Sequence, residues 1–287
     1  MNEQGPRTGT KPFLRARRPA IMQPVSGIVR PLDFSYPTNR AIAIFSLVIF
    51  FIKTAATALT GTGIVGPVIL GVAAGMAVFL AWALGREVDP DHDPSALLAA
   101  ALTAAALLVL PASDILTLLW LLLVLRIVNR TSGLTATGVD VALVLALTLW
   151  PLWQGFLMAG PLTAAALLLD KTLRKPAPHR IPAAALALTA AAAALFAGRG
   201  TAITTPLLPI GIIVAVATVL FLRAIAAAST IRSSGDSGGG TLEPGRVRAA
   251  QALALATALA ALPWSFGAVA PLWAAVLAAG VWRVRAK

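Results

Sequence analysis

Between Ala41 and Val281 apolar residues run in ten blocks, and the polar positions between them follow a two-step rhythm. The blocks fall into pairs: 41–61 with 64–85, 95–110 with 115–125, 139–151 with 156–169, 182–196 with 206–222, and 249–262 with 268–281. The turn inside each pair is short and holds Gly, Pro, Ser or Trp, as at Pro111 to Ser113 and Pro151 to Gly155, which is the chemistry that lets two helices lie antiparallel. A basic residue closes every pair: Arg86, Arg126, Lys171, Arg223 and Arg283. Lysine and arginine are retained on the cytoplasmic side of a membrane, so each pair enters and returns. The pattern predicts an all-α, polytopic integral membrane helix bundle of about ten transmembrane helices, arranged as five hairpins with both termini cytoplasmic.

Every lysine and arginine falls on the inner side of this layout except Arg199, in an outer turn, and Lys53, within a span. Tryptophans mark interfaces at the inner ends (Trp82, Trp282) and at the outer turns (Trp150, Trp153, Trp264), while Trp120 and Trp273 sit deeper than a belt requires. Length is the difficulty. A span needs about 20 residues to cross a ~30 Å hydrocarbon core, and the hairpins at 95–125, 139–169 and 249–281 fall short of that. Short spans either line protein-enclosed space, are re-entrant, or sit in locally thinned bilayer.

Composition removes the soluble alternatives: 58% of residues are apolar and 12% charged, with a mean hydropathy of +0.85. The net charge of +12 lies in tails and short loops and not on one folded basic face, so nucleic acid is not the expected partner. Membrane lipids are, together with a small solute. The absence of cysteine excludes disulfides and thiolate chemistry. No apolar core of signal-peptide length precedes Ala41, so the first span is expected to act as the uncleaved insertion signal for the plasma (inner) membrane. Residues 1–40 form a basic, Pro-rich cytoplasmic tail expected to be disordered along the anionic leaflet, and 41–287 the transmembrane domain, with a flexible cytoplasmic loop at 229–247. Val124-Leu125-Arg126, followed by Thr131-Ser132, resembles Phe221-Leu222-Arg223, followed by Ser229-Thr230; internal duplication and chance similarity both account for this.

Three polar groups stand out. Glu87, Asp89, Asp91 and Asp93 crowd one inner loop, held extended by Pro90 and Pro94. Asp89, Asp91 and Asp93 offer hard oxygen ligands to a divalent cation such as Mg²⁺, with His92 beside them; Asp93 and Ser95 equally suit the start of the next helix. On the same side Arg126, Asn129 and Arg130, with Thr131 and Ser132, suit a phosphate or carboxylate, or a salt-bridged cytoplasmic gate with the acidic loop, or simply a positive-inside loop. Within the first span, Lys53 lies ~12 Å deep, with Thr57 one turn away and Asp114 as the nearest counter-ion by depth. A polar stripe of this kind favours a bundle interior or a water-filled pathway; snorkelling to the outer head groups is the alternative.

The chain has no Gly-rich phosphate loop, nucleophile elbow or metalloprotease helix. Its short loops offer little soluble-facing chemistry for an enzyme. Ten spans in a chain of 287 residues with both ends inside resembles the format of the drug/metabolite transporter superfamily, in size and topology alone. The expected function is therefore transport of a small solute. The alternatives are a membrane-embedded enzyme acting on a phosphorylated lipid or prenyl substrate at the cytoplasmic face, and a non-catalytic membrane subunit.

Overall fold

The computed structural model describes residues 26–30, 32–61, 63–173, 180–200, 208–236 and 240–285. Among them the chain is all-helical: α1 (Pro37–Ala58), α2 (Val65–Val88), α3 (Asp93–Ala106), α4 (Ile115–Asn129), α5 (Gly138–Trp153), α6 (Ala159–Thr172), α7 (Arg180–Phe196), α8 (Leu208–Ala227), α9 (Pro244–Ala260) and α10 (Ala270–Arg285), the last preceded by one 3₁₀ turn. Three of these, α1, α2 and α8, are long and apolar enough to cross a membrane. The helices match the apolar blocks because each block is bounded by residues that stop or start a helix. Pro37 and Pro244 occupy first turns, where a missing amide hydrogen costs nothing, and Asp114 and Thr137 accept amide hydrogens as N-caps of α4 and α5.

α4 is the hub, packed against α2, α5, α6 and α9, and its Leu118, Trp120, Leu121, Val124, Leu125 and Ile127 are buried. At 15 residues it is ~22 Å long, and from Thr117 to Asn129 most of its residues are buried against other helices. α1 and α8 invert the usual pattern. Leu47, Phe51 and Ile52 on α1, and Ile212, Val216 and Val219 on α8, are exposed, an apolar surface of the kind a bilayer covers.

Small residues let the helices approach. A Cβ at Gly71 of α2 would stand 2.0 Å from Thr54 Oγ1 and 2.8 Å from the Phe50 carbonyl oxygen of α1, and one at Gly160 of α6 would meet Ala191 of α7 at 2.4 Å. Such contacts replace the hydrophobic drive that is missing between helices in lipid.

Chain neighbours are not always packing neighbours. α1 lies along α2 and α5 touches α6, but α3 packs chiefly on α2 and α10, α7 on α6 and α5, and α8 on α10. Which helix sits beside which is set by side-chain fit.

Two segments expected to be loose are tied to the bundle. The disorder expected of 1–25 lies outside the described residues, but Ile28 is buried, and the Ser26 hydroxyl and Gly27 amide donate to Asp140 at 2.5 and 2.7 Å. In the loop after α8, Ser234 bridges Thr241 in antiparallel fashion, and the Asp236 amide donates to the Thr131 carbonyl at 3.3 Å. Backbone hydrogen bonds, invisible in a Ser/Gly-rich composition, hold the described part of this loop.

Candidate functional site

Glu87, Arg126, Arg130, Asp170, Arg180 and Arg246 each lie in the first or last turn of a helix or at its cap, and the fold brings these ends together. Glu87, in the last turn of α2, is fully buried. It accepts from Arg126 Nε of α4 at 3.0 Å and from Thr131 Oγ1 at 2.9 and 3.1 Å, and Arg30 Nη1 lies 3.7 Å away. Asn129 Nδ2 donates to the Glu87 carbonyl at 2.7 Å. A buried carboxylate is tolerable only with such opposite charge and donors around it.

One turn further along α4 a second node forms. Asp170, at the end of α6 and fully buried, receives Arg130 Nε and Nη2 at 2.9 and 2.7 Å, Arg180 Nε of α7 at 3.0 Å and Arg246 Nη1 of α9 at 3.1 Å. Arg246 also donates to the Val128 carbonyl at 2.9 Å, one of those the end of α4 leaves open, and Arg180 to the Ala136 carbonyl in the loop before α5 at 2.6 Å. Arg130 closes α4 in the left-handed conformation at φ 53°, a position usually given to Gly. Holding a bulky side chain there costs of order 1–3 kcal/mol, which the ion pair to Asp170 offsets.

The acidic loop is built differently from expectation. Asp89 Oδ1 meets His92 Nδ1 at 2.8 Å; Asp91 accepts the Ser233 amide and hydroxyl at 2.9 and 2.8 Å and the Arg232 amide at 3.1 Å; Asp93 pairs with Arg86. Each carboxylate thus faces its own partner, and among the described residues no group of three or more acidic, His or Cys side chains is arranged to hold a metal ion. Asp93 and Ser95 do lie in the first turn of α3, where an acidic side chain suits the helix start, while the N-cap position is His92 and carries no side-chain cap hydrogen bond. Burial pushes the Asp89 carboxyl above the usual carboxylate range, against the opposing pull of His92 and Arg283.

Lys53 and Thr57 lie at the other end, where α1 finishes, α2 begins and α3 finishes. The Thr57 hydroxyl turns back to the Lys53 carbonyl at 2.8 Å. Lys53 lines a crevice of about 130 Å³ with Leu70, Ala73, Pro111 and Ser113, and among the described residues it has no ion pair. Asp114 is not its counter-ion. That carboxylate caps α4 through Thr117 and accepts the Trp150 indole N–H at 2.9 Å, since an N-cap is drawn to the free amides of its own helix. The structure therefore places Arg126 and Asn129 on Glu87 and Arg130 on Asp170, two adjacent charged nodes at one end of α4, and sets Lys53 and Thr57 apart from them.

Sequence reasoning missed Asp170, Arg180 and Arg246 as members of these nodes. The available signal is Asp170 itself, an acid directly at the end of an apolar block, beside the topology-marking Lys171. Deeper in, the buried Trp120 donates to Thr163 at 2.9 Å, and Thr163 lies 3.0 Å from Thr148, which explains why this tryptophan is not in an interfacial belt. Comparison with protein-family models, with curated proteins and with solved structures finds no match to this chain.

Proposed function

We propose that this chain is a multi-pass carrier of a small solute in the plasma membrane, with ten spans, both termini cytoplasmic, and the Glu87 and Asp170 assembly as its closed cytoplasmic gate. The observation that carries the reading is the division of polar chemistry. Two fully buried carboxylates bind arginines from α4, α7 and α9 across one end, while the opposite half holds a crevice with a lysine free of any ion pair among the described residues. A lattice of ion pairs joining several helix ends is a bistable element: its geometry is good when closed, and breaking it exposes charged groups that water then solvates. The positive-inside rule puts the lattice at the cytoplasmic face. In the alternative reading, an enzyme acting on phosphorylated lipid, the arginines suited to a phosphate are the ones already held by Glu87 and Asp170.

Proteoliposomes under osmotic shock test the proposal. A panel of small organic acids, amines and sugars is added outside, and re-swelling is followed by light scattering. At least one solute should enter faster than into protein-free vesicles, and Arg126→Gln, which loosens the gate, should change that rate. No protein-dependent entry across the panel refutes transport. Single cysteines provide the topology: Asp236→Cys should label only from the cytoplasmic side and Gly200→Cys only from outside.

A further inference from the structure

The crevice at Lys53 has three properties that together describe a ligand. Its walls are mostly aliphatic, supplied by Leu70, Ala73 and Ala74 of α2 and by Leu107, Leu110 and Pro111 after α3. It holds one ammonium group, and among the described residues no carboxylate answers it. Its polar lining includes Ser113, which is 7% exposed and whose hydroxyl is buried without a hydrogen-bond partner. A narrower cleft shares the wall of Leu107, Leu110, Pro111 and Ser113 and leads to Thr103, whose hydroxyl is likewise buried and unpartnered. Buried hydroxyls and a half-buried ammonium without partners are costly in an apolar setting, and they are rare in native interiors unless something else satisfies them.

We infer that this crevice is a binding site for a short-chain monocarboxylate, with Lys53 pairing the carboxylate and Ser113 hydrogen-bonding one of its oxygens. A single ammonium matches a single negative charge; a phosphate dianion would leave a second charge desolvated against aliphatic walls. The volume, about 130 Å³, is that of about four water molecules in the liquid, so it suits the carboxylate and the first few carbons of a chain and no bulky body. The chemistry is shared by two sources, a small acid from the aqueous phase and the head of a longer fatty acid from the bilayer. The inference rests on the transport reading only for its purpose. The binding itself stands independently of transport.

Calorimetric titration of the full-length protein in a non-ionic detergent, with pentanoate, pentylamine and 1-pentanol, tests it. Pentanoate should bind saturably, and the amine and alcohol should not. Lys53→Met should weaken pentanoate binding at least tenfold and Lys53→Arg far less. Ala73→Leu, which fills the crevice and keeps the charge, should also abolish binding, so the test does not depend on one variant folding. Pentanoate affinity that is unchanged in Lys53→Met, or equal binding of the amine, overturns the assignment. In nanodiscs, displacement of pentanoate by oleate assigns the bilayer as the source and lack of displacement assigns the aqueous phase; either supports the carboxylate site. Binding without vesicle entry refutes the transport reading alone, and vesicle entry without pentanoate binding refutes this inference alone.

Discussion

At one end of the bundle, two buried carboxylates hold five arginines: Arg30 and Arg126 on Glu87, and Arg130, Arg180 and Arg246 on Asp170. At the other end, polar side chains act singly. Asp114 caps its own helix and takes one indole, the Trp264 indole donates to the Gln154 carbonyl at 3.0 Å, and the Arg199 guanidinium lies 3.5 Å over the Trp153 ring. The difference teaches where stability and where adaptability reside. Removing one member of a shared buried network strands several charges at once, whereas removing a cap or a ring contact costs only that contact.

The largest effect should come from Asp170→Asn. It leaves the buried Arg130 and Arg180 without the Asp170 carboxylate and Arg246 with only its second acid, Glu243 at 3.5 Å, and breaking a buried ion pair costs about 3–5 kcal/mol. Thermal unfolding of the detergent-solubilised variant should show a sharp fall in midpoint or no folded protein; a midpoint near that of the parent would reduce the charged end to ordinary packing. Glu87→Gln should cost less, about 1.5–3 kcal/mol, because the amide still accepts from Thr131 while Arg126 loses its charge partner. Asp114→Ala, on the opposite end, should cost about 1 kcal/mol as the loss of one N-cap. If it destabilised the protein as much as Asp170→Asn, the contrast between the ends would collapse.

The smallest expected effect is a pH dependence at Asp89. Its carboxyl pKa is raised by burial in the folded protein, so the folded state holds this proton more tightly than the unfolded chain does. The stability gained from that proton is fully present below the ordinary carboxylate pKa and is lost as pH rises through the folded value. Asp89→Asn should therefore flatten part of the dependence of the unfolding midpoint in mildly acid solution, without lowering the midpoint at neutral pH. A variant that stays as steep as the parent would show that Asp89 does not titrate differently on folding.

Several parts of the molecule were legible without coordinates. The ten helices follow from apolar blocks broken by Gly, Pro and polar turns, because a helix in an apolar setting needs every backbone group bonded internally and stops where such turns begin. The gate candidates Arg126, Asn129 and Arg130 were legible as a polar cluster at a block end. The partners were not, because Asp170, Arg180 and Arg246 lie far from that cluster in the chain, and hydropathy carries no distance information. The acidic loop misled for a related reason. Clustering along the chain suggested convergence on a cation, but Arg86, His92 and the Ser233 amide each draw one carboxylate away.

The sequence by itself determined the helical class, the extent of each helix within a few residues and the segregation of basic charge, since these depend on hydropathy and on local backbone chemistry. Tertiary structure alone decided which helices touch, that residues 26–30, 232–236 and 241 join the bundle, and that Lys53 has no acid beside it among the described residues. Those outcomes depend on shape fit, as at Gly71 against Thr54, and on pairing across long chain separations. Loop closure is cheap enough for distant residues to meet, and in a low dielectric a buried charge takes whichever partner the packing brings within reach.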